Sequence, residues 1–154
     1  RILSDAEASL RRVAPDGSCW YSAAALALGS VPSERLRVEI AAFVARNPTH
    51  VVNGATLAEW VKWDSGLDVR AYARRMFQAG EWAGGLENAV LAHLYDVSVE
   101  VWLRDNEAWR RITRFVSTSS AAGVVRVAYS GSNHYDFLQL RNQCGTNSTR
   151  IGIN

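Results

Sequence analysis

The chain has 154 residues, a net charge of +2 and 48% hydrophobic residues, which suits one globular domain with a buried core. The charge is too small to indicate a nucleic-acid or membrane-surface partner, and no apolar run is long enough to span a membrane. No basic-then-apolar leader is present. Because the chain begins at Arg1, we expect either a segment of a longer protein or an expressed fragment.

Residues 1–15 carry no regular pattern, and Pro15 would end any early helix. The first clear element is a helix over Cys19–Leu28, preceded by a Gly-containing turn. Ser18 is its predicted N-cap, and Gly29 stands just after its last residue.

Two further helices are predicted in the middle of the chain. One opens at Ser33 and stops at Asn47, before a proline. The next has Thr56 and Glu59 as a capping box. Apolar residues at helical spacing predict their buried faces, which are Leu36, Ile40, Phe43 and Val44 in the first and Leu57, Trp60 and Val61 in the second.

A fourth helix is predicted to start at Ser65 and Asp68 and to close at Gly80. A fifth runs from about Leu86 to Leu94. Their expected buried faces are Val69, Tyr72, Ala73 and Met76, followed by Leu86, Ala89, Val90 and Leu94.

The pattern then changes to strands. Residues 97–103 alternate as in a half-buried strand, and 104–107 form a hairpin turn before a return strand over 109–116. Residues 124–129 and 134–140 are two more strands, after a loop at 117–123. Helices followed by adjacent strands predict an α+β fold with an antiparallel or mixed sheet. We expect one domain over residues 1–141 and a polar tail over 142–154.

Cys19 occupies a position that suits a nucleophile. Cysteine reacts as thiolate, which the N-terminus of a helix and an adjacent imidazolium both favour. The backbone N–H groups of residues 16–19 are candidates to bind the oxyanion of a tetrahedral intermediate. Asp16 is expected to shape this turn rather than act as a base, because a carboxylate placed against Cys19 would disfavour the thiolate form of the cysteine.

Three histidines are available as its partner. His50 is predicted to be a solvated loop residue, and His93 a histidine packed on the apolar face of its helix. His134 opens a strand, and Asp136 lies two residues on, so both side chains point to the same side. Asp136 can therefore hold one imidazole nitrogen and leave the other facing a nucleophile. His-x-Asp alone is uninformative; its weight comes from pairing with Cys19.

Other uses of these residues are not supported. Two cysteines and three histidines without metal-ligand spacing predict no metal site. Gly84-Gly85 falls short of a nucleotide-binding fingerprint, and no cofactor is expected. The distant cysteines Cys19 and Cys144 do not make a disulfide scaffold, which favours a reducing compartment and a cytoplasmic location.

Three sequence blocks, at residues 16–20, 81–87 and 133–136, together resemble the signatures of the ovarian-tumour (OTU) cysteine proteases. Residues 16–20, Asp-Gly-Ser-Cys-Trp, resemble the family's Asp-Gly-(Asn/Ser)-Cys-aromatic motif. Residues 81–87 resemble its Trp-Gly-Gly-x-x-Glu stretch before a helix, and residues 133–136 its His-Tyr-Asp motif. The blocks occur in the family's order at compatible separations, and together they span about residues 14 to 140.

The resemblance implies a papain-like fold of OTU type and hydrolysis of isopeptide or peptide bonds after the C-terminal Gly-Gly of ubiquitin. By matching motifs, Cys19 is the nucleophile, His134 the general base and acid, and Asp136 the orienting acid. Asp16 matches a motif residue beside the oxyanion loop. The implied partner is ubiquitin or polyubiquitin, and we expect a monomer.

The central block implies the substrate site. Trp82 and Gly84 match the channel for the ubiquitin tail, and Glu81 and Glu87 are candidates to meet its arginines. Ala83 departs from the family pattern, because many relatives have Trp-Gly directly, and this leaves the channel geometry open.

Three alternatives remain open at this point. The domain is also compatible with a viral polyprotein protease, with a protease for a ubiquitin-like modifier, or with a non-catalytic ubiquitin-binding module. A compact chain that is rich in arginine and has Lys62 as its only lysine favours a viral or bacterial effector working in the host cytosol.

Overall fold

A computed structural model describes residues 1–29, 31–117 and 123–141 of the chain. The predicted polar tail with Cys144, and residues 118–122 of the predicted loop, lie outside the described residues. In the part that is described, no helix is long and apolar enough to cross a membrane.

The fold is α+β, with five helices packed on a curled, mostly antiparallel six-stranded sheet. The helices are α1 (Cys19–Leu28), α2 (Ser33–Arg46), α3 (Leu57–Ser65), α4 (Val69–Met76) and α5 (Gly85–Leu94). The main-sheet strands are β1 (Ile2–Ser4), β2 (Ala8–Arg11), β5 (Ser98–Asp105), β6 (Ala108–Phe115), β7 (Val124–Tyr129) and β8 (Tyr135–Leu140). A separate two-stranded ribbon pairs β3 (Val51–Val52) with β4 (Ala55–Thr56).

The main sheet has the strand order β1-β6-β5-β7-β8-β2. Its central pair, β5 and β7, is parallel, and every other neighbouring pair is antiparallel. The sheet is therefore mixed, and the strands predicted near the C-terminus are all present.

The first 15 residues add two strands that the sequence did not predict. β1 and β2 lie at opposite edges of the sheet, although a turn of only three residues joins them. In that turn, the N–H of Glu7 donates to the carbonyl of Ser4 at 3.0 Å. The side chains of Arg104 and Arg141 both bind Asp5 there, at 2.6 and 3.0 Å. The sheet must curl until its two edges meet at this turn.

This curl corrects the prediction of a half-buried strand at residues 97–103. β5 is buried on both faces over Ser98–Trp102, because the helices cover one face and the curled sheet encloses the other. Trp102 belongs to a second apolar core inside the curl, which also contains Leu3, Ala8, Trp109, Ala128 and Leu138. Glu100 lies on that inner side, where Arg111 pairs with it at 2.8 Å and Arg126 at 3.2 Å.

Most helix boundaries match the prediction. α1 covers the predicted residues, and the Thr56–Glu59 capping box begins α3. The fourth helix was predicted less well: Ser65 is the last residue of α3, and α4 ends at Met76 rather than at Gly80. Residues 77–84 instead form a connection that begins with turns and lies beside the start of α1.

Two contacts of the fold place the candidate site. β2 pairs with β8, and the chain leaves β2 directly into the turn that begins α1. α1 then packs against β7 and β8. The strand that follows His134 and the helix that begins at Cys19 are therefore held together by an N-terminal strand.

Candidate active site

Cys19 is the first residue of α1, and its side chain is a free thiol that is 5% exposed. The N–H of Cys19 donates to the carbonyl of Asp16 at 3.2 Å. Ser18 stands at the N-cap position, as predicted, but its side chain makes no capping hydrogen bond. Its hydroxyl instead accepts from Arg37 at 3.0 Å.

The turn before Cys19 uses most of its own N–H groups. Asp16 Oδ1 accepts from the N–H of Ser18 at 2.9 Å, which is the geometry that a turn-shaping role requires. The N–H of Asp16 donates to the carbonyl of Ala14 at 2.9 Å. Three of the four candidate N–H groups, those of Asp16, Ser18 and Cys19, therefore already have acceptors. Among the residues that the structure describes, only Gly17 N–H in this turn has no acceptor.

Gly17 is also the position where the turn touches the 77–84 connection. A Cβ at Gly17 would lie 1.9 Å from the carbonyl oxygen of Gly80, and Gly80 itself has a positive φ of 93°. Since both contacting groups are backbone, neither can move aside by a rotamer change. The close approach of these two segments requires glycine at position 17.

We expect Gly17→Ala to destabilise the fold by about 2 kcal/mol or more, because the added methyl forces two backbone segments apart. Gly85→Ala is the matched control, since nothing lies within 4 Å of its Cβ position and alanine favours a helix. Urea unfolding of both variants measures the difference. Equal stability of Gly17→Ala and the wild type would show that the close contact is absent in solution.

His134 and Asp136 are in direct contact. His134 immediately precedes β8, and its Nε2 lies 2.9 Å from Asp136 Oδ1. The same oxygen accepts the backbone N–H of Val13 at 2.8 Å. The side chains are 22% and 13% exposed. The carboxylate is thus fixed by the segment that follows β2, and the imidazole keeps Nδ1 for another partner.

The strand bearing Asp136 lies next to the helix of Cys19. Burial between these elements raises the pKa of Tyr135 to about 12. The contact between the two elements is direct, since α1 packs against β8. The structure brings together the helix of Cys19 and the strand of the His134–Asp136 pair, while a direct Cys19–His134 contact stays a prediction.

The predicted substrate residues form one segment with mixed exposure. Trp82 is 52% exposed. The carboxylate of Glu81 pairs with Arg75 at 3.1 Å. A Cβ at Gly84 would meet only the side chain of Glu87, at 3.9 Å, so the space beside this glycine is open.

Glu87 does not have the surface role proposed for it. It is 2% exposed, accepts the N–H of Gly84 at 2.7 Å, and accepts the hydroxyl of Tyr72. Burial raises the pKa of Glu87, while both hydrogen bonds act in the opposite direction. Its carboxylate caps α5 internally and cannot meet an arginine of a ligand.

Asn88 was missed by the sequence reasoning. Its Nδ2 donates to the carbonyl of Gly84 at 3.1 Å, and its Oδ1 accepts Trp20 Nε1 at 2.9 Å. Trp20 follows Cys19, so a single amide side chain ties the start of α1 to the glycine segment. The adjacency of Asn88 to the Glu of the Trp-Gly-Gly-x-x-Glu block was the available signal.

The two remaining histidines lie away from this site and form a pair. The rings of His50 and His93 are 4.4 Å apart, and each is 5.2 Å from the ring of Phe43. His93 is exposed rather than packed inside, and His50 is half-buried rather than fully solvated. This corrects the predictions of a solvated loop residue at His50 and of a histidine packed on the apolar helix face at His93.

The pair predicts a pH effect on stability. Burial and the neighbouring His93 lower the pKa of His50. A group with a lowered folded-state pKa contributes stability above its unfolded pKa, near 6.5, and loses it as the pH falls. Between pH 7 and 5, we expect the melting temperature of His50→Phe to fall less than that of the wild type. An equal or larger fall in the variant would contradict the assignment.

In the described part of the chain, no group of three or more His, Cys, Asp or Glu side chains could hold a metal ion.

No protein-family model and no curated protein sequence matches the chain.

Solved structures, in contrast, match over most of its length. The viral OTU domain protease from Dera Ghazi Khan virus matches with a TM-score of 0.70 and 17% identity, over 91% of this chain and 86% of that one. The Hazara virus OTU bound to ubiquitin matches with a TM-score of 0.67 and 22% identity, over 87% and 82%. An OTU deubiquitinase from Wolbachia pipientis wMel, bound to ubiquitin, matches with a TM-score of 0.59 and 17% identity, over 88% and 98%.

At sequence identities of 17–22%, these matches show a shared fold. The chain has the papain-like α+β fold of the OTU domains.

Proposed function

We propose that this domain is a deubiquitinase that hydrolyses isopeptide or peptide bonds after the C-terminal Gly-Gly of ubiquitin. The observation that carries the proposal is the 2.9 Å contact between His134 and Asp136, on a strand packed against the helix that begins at Cys19. Two similar solved OTU domains are bound to ubiquitin. We further propose that it acts as a monomer in the cytosol, where a reducing environment keeps Cys19 a free thiol.

In the first step, the Cys19 thiolate attacks the carbonyl carbon of the terminal glycine of ubiquitin. A C–S bond forms, and the tetrahedral intermediate carries negative charge on oxygen. The C–N bond then breaks, and the His134 imidazolium gives its proton to the departing lysine amine. The product that remains is a thioester between Cys19 and ubiquitin.

In the second step, His134 takes a proton from water, which attacks the thioester carbonyl. The C–S bond breaks, ubiquitin leaves as a carboxylate that has released the second proton of the water, and the Cys19 thiolate is restored beside the His134 imidazolium. Asp136 holds the ring so that Nε2 carries a proton and Nδ1 serves as the base. No external reductant or cofactor is needed for this cycle.

The oxyanion is best met by Gly17 N–H, since this amide has no acceptor within the described residues. The N–H of Cys19 is a second candidate, because its 3.2 Å bond to Asp16 is long and can be shared. Donors that are fixed before the reaction stabilise developing charge without reorganisation, and each contributes about 3–4 kcal/mol where measured.

The ubiquitin tail is proposed to run along Trp82 and Gly84. A narrow channel along these residues would exclude substrate side chains, which suits a Gly-Gly end. Glu81 is proposed to meet an arginine of the tail, and to do so it exchanges its surface partner Arg75. Because this ion pair is exposed to solvent, breaking it costs little free energy.

A second candidate is a non-catalytic ubiquitin-binding module. The 5% exposure of Cys19 favours it, because a nucleophile must be reached by its substrate. A protease for a ubiquitin-like modifier remains the enzymatic alternative.

One panel of substrates separates these functions. The purified domain is incubated with di-ubiquitins of each linkage and with conjugates of ubiquitin-like modifiers. We expect mono-ubiquitin to appear from at least one linkage. Cleavage of modifier conjugates alone would replace ubiquitin as the substrate, and binding of di-ubiquitin without cleavage would establish the non-catalytic module.

A further inference from the structure

Arg37 is a fully buried arginine in the middle of α2, with 0% exposure. A charged side chain in the interior requires hydrogen-bond partners for its N–H groups. Its partners lie outside its own helix, on both segments that flank the candidate site.

The guanidinium bridges the turn before Cys19 and the 77–84 connection. Arg37 Nη1 donates to the carbonyls of Met76 at 3.0 Å and Glu81 at 2.9 Å. Nη2 donates to Ser18 Oγ at 3.0 Å and to the carbonyl of Gly17 at 3.4 Å. One planar group therefore fixes the end of α4, the start of the proposed substrate segment and the proposed oxyanion turn.

The orientation of this group is also fixed. The guanidinium carbon of Arg37 lies 4.2 Å from the centre of the Tyr21 ring, one turn into α1. A cation over an aromatic face is attracted to it, more strongly when both are desolvated. Lysine offers neither the planar fork nor the stacking face, so it cannot make these contacts at once.

The peptide between Gly17 and Ser18 is held at both of its polar atoms. Its carbonyl accepts from Arg37, and its N–H donates to Asp16 Oδ1. The N–H of the preceding peptide, on Gly17, is left free. We propose that Arg37 is a positioning residue that sets the direction of Gly17 N–H relative to the substrate segment. The inference rests on the proposed function, since it assigns how the oxyanion donor is held.

Arg37→Lys tests this with two reactions at Cys19. Hydrolysis of a ubiquitin–fluorophore conjugate forms an oxyanion, whereas alkylation by iodoacetamide forms a C–S bond and releases iodide without one. We expect kcat to fall about tenfold or more and KM to stay within about twofold, as for a lost oxyanion contact. The alkylation rate stays within about twofold.

Arg35→Lys is the matched control, because Arg35 is exposed on the same helix and pairs with Glu39 at 2.7 Å. It should leave both reactions unchanged. An unchanged kcat in Arg37→Lys, or equal losses in both reactions, would overturn the positioning role.

Hydrogen exchange tests the same inference without ubiquitin. If the wild-type domain cleaves no ubiquitin conjugate, the proposed function is refuted, but the exchange experiment still tests the role of Arg37. In Arg37→Lys, amides of residues 16–19 and 77–84 should exchange about tenfold faster than in Arg35→Lys, while those of α5 do not change. Unchanged exchange in either segment would overturn the bridge.

Discussion

Cys19→Ala is expected to reduce cleavage of a ubiquitin–fluorophore conjugate by at least about 10⁴-fold, because the proposed thioester forms on the Cys19 sulfur. The substitution removes one sulfur at the end of a helix, so ubiquitin binding should persist. Initial rates measured at saturating substrate give the first quantity, and a dissociation constant gives the second.

Cys144→Ala is the matched control, since it removes the other cysteine of the chain. It should cleave at the wild-type rate. If Cys19→Ala kept full activity, the covalent mechanism would be wrong, and if Cys144→Ala lost activity as well, the nucleophile would have to be reassigned.

Asp136→Ala is expected to lower kcat by about 10²–10³-fold while the dissociation constant for ubiquitin changes little. The carboxylate is proposed to orient His134 and is not expected to touch the substrate. The alanine also leaves the N–H of Val13 without its acceptor, so part of the loss will be structural. Stopped-flow rates and equilibrium binding separate turnover from affinity.

Asp136→Asn separates charge from geometry. One oxygen, Oδ1, accepts both His134 Nε2 and the N–H of Val13. Because the Val13 N–H holds the amide oxygen of asparagine in that place, the histidine tautomer should be kept. We expect a loss of only about tenfold, from the missing charge beside the imidazolium. If Asn were as inactive as Ala, the carboxylate charge rather than the orientation would dominate.

Local patterns predicted most of the elements correctly. The α1 boundaries followed from a turn with Ser18 before the helix and Gly29 after it, and the strands after residue 97 followed from period-two alternation. These signals work because each depends on neighbours in sequence.

The two N-terminal strands could not be predicted in this way. β1 and β2 have three and four residues, and their partners, β6 and β8, lie more than a hundred residues away in sequence. Short edge strands are stabilised by this pairing rather than by their own propensity. The double burial of β5 was missed for the same reason, because it depends on the curl that β1 and β2 complete.

Within the candidate site, the contact that sequence predicted best was His134–Asp136, since two residues of spacing in a strand fix a common side. The turn-shaping role of Asp16 also followed from its place before a glycine. Contacts between segments, such as the Gly17–Gly80 approach, were not predictable. Arg37 did leave a signal. It lies three residues before Ile40 and seven before Val44, on the buried stripe of α2, where a solvated arginine is not expected.

The central claim is that Cys19 attacks the C-terminus of ubiquitin. Ubiquitin with an electrophile in place of its last glycine should be incubated with the wild-type domain, and the product should be digested for mass spectrometry. The account predicts one covalent ubiquitin adduct, located at Cys19 and nearly absent in His134→Ala. No adduct, or an adduct elsewhere in the chain, would contradict it.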